Sequence, residues 1–190
     1  MKQLAIFASG SGTNAENIIR YFKNNTDINV NLIITNNVNA GVIARAQTLG
    51  VKSVTVSKSD FNNKSYMLKL LTAESIDFVV LAGFLLLVPD FLINAFKNRI
   101  VNIHPALLPA YGGKGMYGDF VHQAVINNND KVSGITIHFV NENYDDGQII
   151  FQASCPVLPN DTSATLANRI HQLEYNHFPK IIEKVVSDIN

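Results

Sequence analysis

The sequence predicts one α/β domain: a Rossmann-like open twisted sheet, mostly parallel, with an antiparallel C-terminal part and helices on both faces. Three observations carry this reading. In the first hundred residues, short strands that are apolar along their length alternate with helical segments, the pattern of a parallel sheet covered on both sides. The remainder changes character, with a long irregular loop and two neighbouring strand-like runs. The 190 residues are 47% apolar and only 16% charged, which excludes a disordered chain. A chain of this size buries roughly 70% of its unfolded surface without needing staples.

The elements follow in order. Lys2–Ala8 reads as a buried strand, then a glycine-serine turn and a helix from Asn14 to about Lys23. Val30–Thr35 is a second strand, Gly41–Leu49 a helix ended by Gly50, and Ser53–Val56 a short β-branched strand. Tyr66, Met67, Leu70 and Leu71 recur at helical spacing and predict a helix over Phe61–Glu74. Phe78–Leu81 is a fourth strand, Pro89–Phe96 a short helix with proline at its start, and Ile100–Ile103 a fifth strand. Residues 105–118 hold Pro105, Pro109 and four glycines; a loop this long inside a compact domain tends to be functional. A helix near Phe120–Ile126 leads to two strands, Gly134–Val140 and Gln148–Val157, and the last 25 or so residues read as one amphipathic helix.

Bulk properties narrow the function. Lysine plus arginine equals aspartate plus glutamate, 15 against 15, so the basic excess of a nucleic-acid binder is missing. Cys155 is the only cysteine, which fits a reducing, cytoplasmic setting. The apolar run Phe78–Val88 stops at Pro89, well short of the roughly 20 residues a membrane span needs. The opening residues read as a strand rather than a signal peptide. The five histidines show no metal-ligand spacing, and no serine sits in a G-x-S-x-G elbow, so neither a metal site nor a serine hydrolase is expected.

The turn Gly10-Ser11-Gly12-Thr13-Asn14 follows a strand and opens a helix, aiming backbone amides and the positive helix end at an anion. Through Ala15 it also fits the loose dinucleotide fingerprint G-x-G-x-x-A. That reading asks for a carboxylate at the end of the second strand, where Thr35-Asn36-Asn37 stands instead. Phosphate binding is therefore favoured over a nicotinamide site, and also over a plain tight turn capped by Thr13 or Asn14. Gly12 is expected to let the backbone approach the anion closely.

A second cluster lies at the end of the fifth strand, where ligands of open α/β sheets bind. Asn102 and His104 have one residue between them and share a face, so an amide and an imidazole could meet an oxyanion and a proton together. Spacing alone slightly prefers the plainer pair of a cap and a satisfied core histidine. The run Asn141-Glu142-Asn143-Tyr144-Asp145-Asp146-Gly147 is either a solvated turn or the source of a carboxylate that orients a histidine.

Taken together, five segments resemble the folate-dependent formyltransferase family over nearly the whole chain. They are Ala8–Asn14, Val80–Phe84, Asn102–Pro105 with Leu107-Leu108-Pro109, Gly134–Val140, and Asp145-x-Gly147-x-Ile149-Ile150. The resemblance implies formyl transfer from 10-formyltetrahydrofolate, as co-substrate, to the amine of glycinamide ribonucleotide in de novo purine synthesis, without a metal. It implies Asn102, His104 and Asp145 as the catalytic trio, with Asn102 donating to the oxyanion and Asp145 holding His104 charged. Gly12, Thr13 and Asn14 would cradle the phosphate and Glu174 would contact the ribose. Lys64, Leu85, Leu86, Leu87, Val88, Asn102, Asn141, Glu142, Asn143, Tyr144 and Asp145 would line the folate site. Residues 1–100 would then form the phosphate-binding half of a single domain over 1–190, and residues 101–190 the catalytic and folate-binding half. Departures from the family pattern are Ala106 for a common serine, Leu86 for a common arginine, Lys64 for a frequent arginine, and the glycine-rich run Tyr111–Gly118. Within the superfamily, a methionyl-tRNA formyltransferase would add a basic C-terminal domain and a formyl-folate hydrolase an N-terminal one; a bare nucleotide- or folate-binding module would not need the trio. The expected partners are small-molecule substrates, with no nucleic acid or membrane, acting on a monomer or homodimer.

Overall fold

The computed structural model describes residues 1–188; the end of the predicted 1–190 domain lies outside the described residues. Seven strands form one sheet in the order β3-β2-β1-β4-β5-β6-β7. These are β1 (Lys2–Phe7), β2 (Ile28–Thr35), β3 (Lys52–Thr55), β4 (Phe78–Leu81), β5 (Ile100–His104), β6 (Val132–Phe139) and β7 (Ile149–Pro156). The first five strands run parallel, whereas β6 pairs antiparallel with both β5 and β7. The mixed sheet predicted from composition and alternation is thus the one observed.

Helices cover both faces. The elements α1 (Thr13–Phe22), α2 (Gly41–Leu49), α6 (Asp119–Asn127) and α7 (Ser163–Ser187) enclose one core with Leu4, Ile6, Ile33, Val80, Val101, Ile135 and Ile137. On the other face, α3 (Lys58–Phe61), α4 (Lys64–Ala73) and α5 (Asp90–Ala95) enclose Phe7, Leu32, Ile34, Phe61, Val79 and Ile100. Strands β1, β2, β4 and β5 each supply residues to both cores, the physical reason for their continuous apolar runs, whereas the edge strand β3 gives only Val54 to one.

The single helix predicted over Phe61–Glu74 is two. Ser57 and Asp60 form a reciprocal capping box on α3, and the Asn63 side chain accepts from the Tyr66 amide to start α4. Two local caps override the helical period that runs across them.

The strand order reverses at β1, which has β2 on one side and β4 on the other. Chains leaving the carboxyl ends of β1 and β4 turn opposite ways and open a crevice between them. β5 extends that edge, and the antiparallel β6 returns beside it. The fold thereby delivers the first turn, the segment after β4 and the end of β5 to one place.

Candidate functional site

A cavity of about 580 Å³ occupies this crevice. Its wall includes Ser9–Asn14 after β1, Ala82–Leu85 after β4, Asn102–Pro105 at the end of β5, residues 113–118 of the long loop, Tyr144 and Asp145, and His122, His171 and Glu174 from α6 and α7. The size suits a small-molecule site.

The first turn meets the requirement for an anion site. Gly12 is the N-cap of α1 with φ 77°, and no side chain caps the helix. Thr13 and Asn14 therefore leave the leading amides free, and the plain capped turn is set aside. Asn14 instead donates from Nδ2 to Glu174 Oε2 at 2.8 Å, and His171 Nδ1 lies 2.9 Å from the same oxygen. Glu174 is buried, and its hydrogen bond raises the His171 pKa above the ordinary imidazole value. Gly12 carries a further constraint absent from the sequence reading: a Cβ there would stand 2.5 Å from the Val42 side chain. Packing of α2 against the turn demands glycine before any ligand arrives.

The wall after β4 is fixed from both sides. Phe84 packs edge-on against Phe7 and Phe61, with ring centroids 5.4 and 5.0 Å away, contacts worth about 1 kcal/mol each beyond their burial. Ser9 Oγ accepts from the Leu85 amide at 3.0 Å and donates to Asn36 Oδ1 at 2.6 Å. The first turn, the residue after β2 and the Leu85 segment are thus tied through one hydroxyl.

Alternation along β5 buries Val101 and Ile103 in one core and turns Asn102 and His104 to the opposite face. The loop carrying Asp145 folds over them, so the two polar clusters meet. Asp145 adopts the left-handed conformation (φ 55°), which aspartate tolerates better than most residues. Its Oδ2 accepts from the Gly113 amide at 3.0 Å and lies 3.5 Å from His104 Nδ1, and its Oδ1 accepts from Asn102 Nδ2 at 3.3 Å. The other ring nitrogen of His104, Nε2, donates to the Tyr111 carbonyl at 2.7 Å.

Charge in this cluster is balanced between burial and neighbours. Burial pushes His104 below the ordinary imidazole value, while Asp145 and the Tyr111 carbonyl pull it back up without overcoming burial. Asp145 thus favours the charged ring, as expected, but burial outweighs it in the free site. Burial also raises the Asp145 carboxyl, but His138, charged His104 and the Gly113 amide outweigh it and keep the group below the usual carboxylate range.

Of the residues expected to bind folate, Leu85, Asn102, Tyr144 and Asp145 reach the cavity. Leu86 packs against the core beneath α3–α5 and Val88 is buried in it, while Leu87 is exposed. Lys64 starts α4; Asn141 and Asn143 both donate to Asp146 in the loop with Glu142. None of these seven lines the cavity.

Three histidines escaped the sequence reading. His138 lies opposite Asn102 in the β5–β6 register and within 3.1 Å of its Nδ2. His122 is buried in the cavity wall, its Nδ1 has no partner, and burial, then the charge of His171, lowers its pKa. His171 stands three residues before Glu174, a helical spacing that could have paired the two.

The comparisons with known proteins agree with this geometry. Residues 2–182 match the formyl transferase family. The chain belongs to that family. Among related formyl transferases, it is 40% identical to the chloroplastic phosphoribosylglycinamide formyltransferase of Arabidopsis thaliana over 98% of its own length and 66% of that protein. It is 35% identical to the phosphoribosylglycinamide formyltransferase of Bacillus subtilis, covering 98% of itself and 95% of the relative. The chain spans about two thirds of the length of the plant relatives it matches. The crystal structure of phosphoribosylglycinamide formyltransferase from Bacillus halodurans superposes with a TM-score of 0.88 at 38% identity, over 100% of this chain and 97% of that one. Among the described residues of this formyl transferase, no helix is long and apolar enough to cross a membrane, and no group of three or more His, Cys, Asp or Glu is placed to hold a metal.

Proposed function

We propose that this chain transfers the formyl group of 10-formyltetrahydrofolate to the amine of glycinamide ribonucleotide, N1-(5-phosphoribosyl)glycinamide, in de novo purine synthesis. The observation that carries this is the opening of two features onto one cavity: an uncapped helix N-terminus suited to a phosphate, and the Asn102–His104–Asp145 cluster suited to acyl transfer. The distance between them would be spanned by the ribose, with Glu174 as its hydroxyl partner and Gly12, Thr13 and Asn14 at the phosphate. The co-substrate would lie along Leu85–Val88 and the loop Asn141–Asp145, with Lys64 at its charged end.

The substrate amine attacks the formyl carbon, giving a tetrahedral intermediate with negative charge on the former carbonyl oxygen. His104 takes up the proton shed by the attacking amine, stabilises the oxygen as a cation and passes a proton to the departing folate nitrogen. The bond from carbon to folate nitrogen then breaks while the bond to the substrate amine stands, so that the amine's proton ends, by way of His104, on the folate nitrogen. In the free site the Tyr111 carbonyl accepts from Nε2, whereas Nδ1 stands 3.5 Å from Asp145 without a full hydrogen bond, so the Nδ1 hydrogen is the one left to reach the reacting atoms while the carboxylate supports the ring's charge. Asn102 contacts the reacting groups. No covalent enzyme intermediate or metal enters this scheme. The reaction would run in the cytoplasm on a monomer or homodimer.

The test is a formyl-transfer assay with glycinamide ribonucleotide and, in parallel, an aminoacyl-tRNA acceptor. Turnover of the ribonucleotide alone supports the reading. Turnover of the tRNA acceptor, or release of formate without transfer, overturns it.

A further inference from the structure

Arg45 takes no part in the scheme above, yet it reaches from α2 to the turn proposed to hold the phosphate. Its Nε donates to the Ser11 carbonyl at 2.9 Å. One residue earlier, the Gly10 carbonyl accepts from the Val42 amide at 3.2 Å. In a planar trans peptide the carbonyl and the following N–H point in opposite directions. Fixing both carbonyls toward α2 therefore aims the Ser11 and Gly12 amides the other way, and Ser11 and Gly12 line the main cavity. Arg45 stands outside that cavity, in a second pocket of about 280 Å³ behind the turn, and Thr13 borders both.

The turn's own stereochemistry does not fix this arrangement. Gly12 has φ 77°, and glycine populates either sign of φ readily, so the Ser11–Gly12 peptide could turn over. The Ser11 carbonyl would then face the anion in place of the Gly12 N–H, exchanging an attraction for a repulsion. Gly41 leaves room for the observed orientation, since a Cβ there would stand 3.1 Å from the Ser11 oxygen. Arg45 is itself held. Glu16 on α1 accepts from its Nη1 through Oε2, and from Arg20 Nε and Nη2 at 2.9 and 2.8 Å through Oε1. Arg20, then Arg45, keep the Glu16 carboxyl below the usual carboxylate range, so the trio carries one net positive charge behind the turn.

We propose that Arg45 is a positioning residue whose hold on the Ser11 carbonyl keeps the Gly12 amide turned into the cavity for the phosphate of the substrate. A guanidinium suits this task because its rigid fork meets a carbonyl and a carboxylate at once. The inference rests on the reading of the turn as the ribonucleotide's phosphate site.

The experiment has two arms. In the first, inorganic phosphate is titrated into the free protein while ¹⁵N–¹H NMR follows the backbone amides of Ser11–Asn14. The Gly12 and Thr13 amides of the native chain should move, and Arg45→Met should weaken phosphate binding about 10-fold or more. Native amides that phosphate leaves unmoved would refute the phosphate reading, and this inference with it. Equal binding by the native chain and Arg45→Met would overturn this inference alone. The second arm measures formyl transfer. Arg45→Met should raise the ribonucleotide KM about 10-fold or more, with kcat and the folate KM within about 3-fold of native. Arg45→Lys keeps the charge but puts a carbon where Nε stands, and should recover little of that loss. A lysine variant with native KM would make charge rather than the tie the cause, and overturns the proposal. So does a loss shared equally by both KM values, the pattern of a merely structural residue. If Arg45→Met does not fold, Arg45→Lys decides by the same criteria.

Discussion

Replacing Asp145 with asparagine keeps the shape of the His104 site and deletes its negative charge. The separation of 3.5 Å between Asp145 Oδ2 and His104 Nδ1 gives an attraction of roughly 5 kcal/mol at an effective dielectric of about 20. Charge spread over the ring and carboxylate reduces this to about 2–3 kcal/mol of preference for the charged ring. Burial already holds the His104 titration below its ordinary value, and without Asp145 only the Tyr111 carbonyl and the more distant Glu174 still favour the charged form. Asp145 favours the charged ring, and its loss moves the His104 pKa further down. Activity that needs the charged ring is present below the pKa and lost as pH rises through it. Asp145→Asn should therefore lower kcat roughly 50- to 100-fold at pH 7, and much less at mildly acidic pH. A pH series of formyl transfer with an NMR titration of His104 checks both parts. Adding Asp145→Asn to His104→Ala should cost little more, because the two act as a unit. An unchanged His104 titration, or an equal deficit at every pH, would refute the reasoning.

Other consequences are simpler to measure. Gly12→Val should cost about 2 kcal/mol or more of stability, through its left-handed backbone and the clash with Val42, and a thermal melt reads this directly. Inorganic phosphate should compete with the ribonucleotide but not with formyl-folate, since only the first places an anion at the uncapped α1 terminus. Glu174→Ala should raise the ribonucleotide KM at least about 10-fold while the folate KM stays near wild type, because a buried acceptor shared by Asn14 and His171 is removed. Burial depresses both His104 and His122, so the unfolded chain binds more protons than the folded one as pH falls below about 6.5. The Tm should drop from pH 7 toward pH 5, and His122→Gln should make that drop smaller.

Much of the site was legible in the sequence because it depends on local spacing. The one-residue gap between Asn102 and His104 fixes a shared face whatever the rest of the fold does, and a glycine-rich turn between strand and helix aims amides outward. The unread parts depend on tertiary neighbours. His138 becomes a partner of Asn102 only through the antiparallel register that pairs them, and a strand run such as Gly134–Val140 does not declare its partner. His122 sits on α6 in an ordinary amphipathic pattern, with nothing local to turn it toward a cavity. Gly12 was read as room for an anion, whereas Val42, thirty residues on, already requires it. For His104, proximity to a carboxylate gave the correct sign of one influence, but the depth of burial that outweighs it is a property of the packed structure. The divided helix at Asn63 is the converse case, in which local caps were present in the sequence and the helical period masked them.

The most direct measurement follows the atoms. The chain is mixed with folate carrying a ¹³C formyl group and ribonucleotide carrying ¹⁵N in its amine, and the products are read by NMR. Formyl transfer through this cavity predicts a directly bonded ¹³C–¹⁵N pair, formed by the native chain and almost entirely lost in His104→Ala. Labelled formate with no carbon–nitrogen bond, or undiminished transfer by a folded His104→Ala variant, would contradict the account.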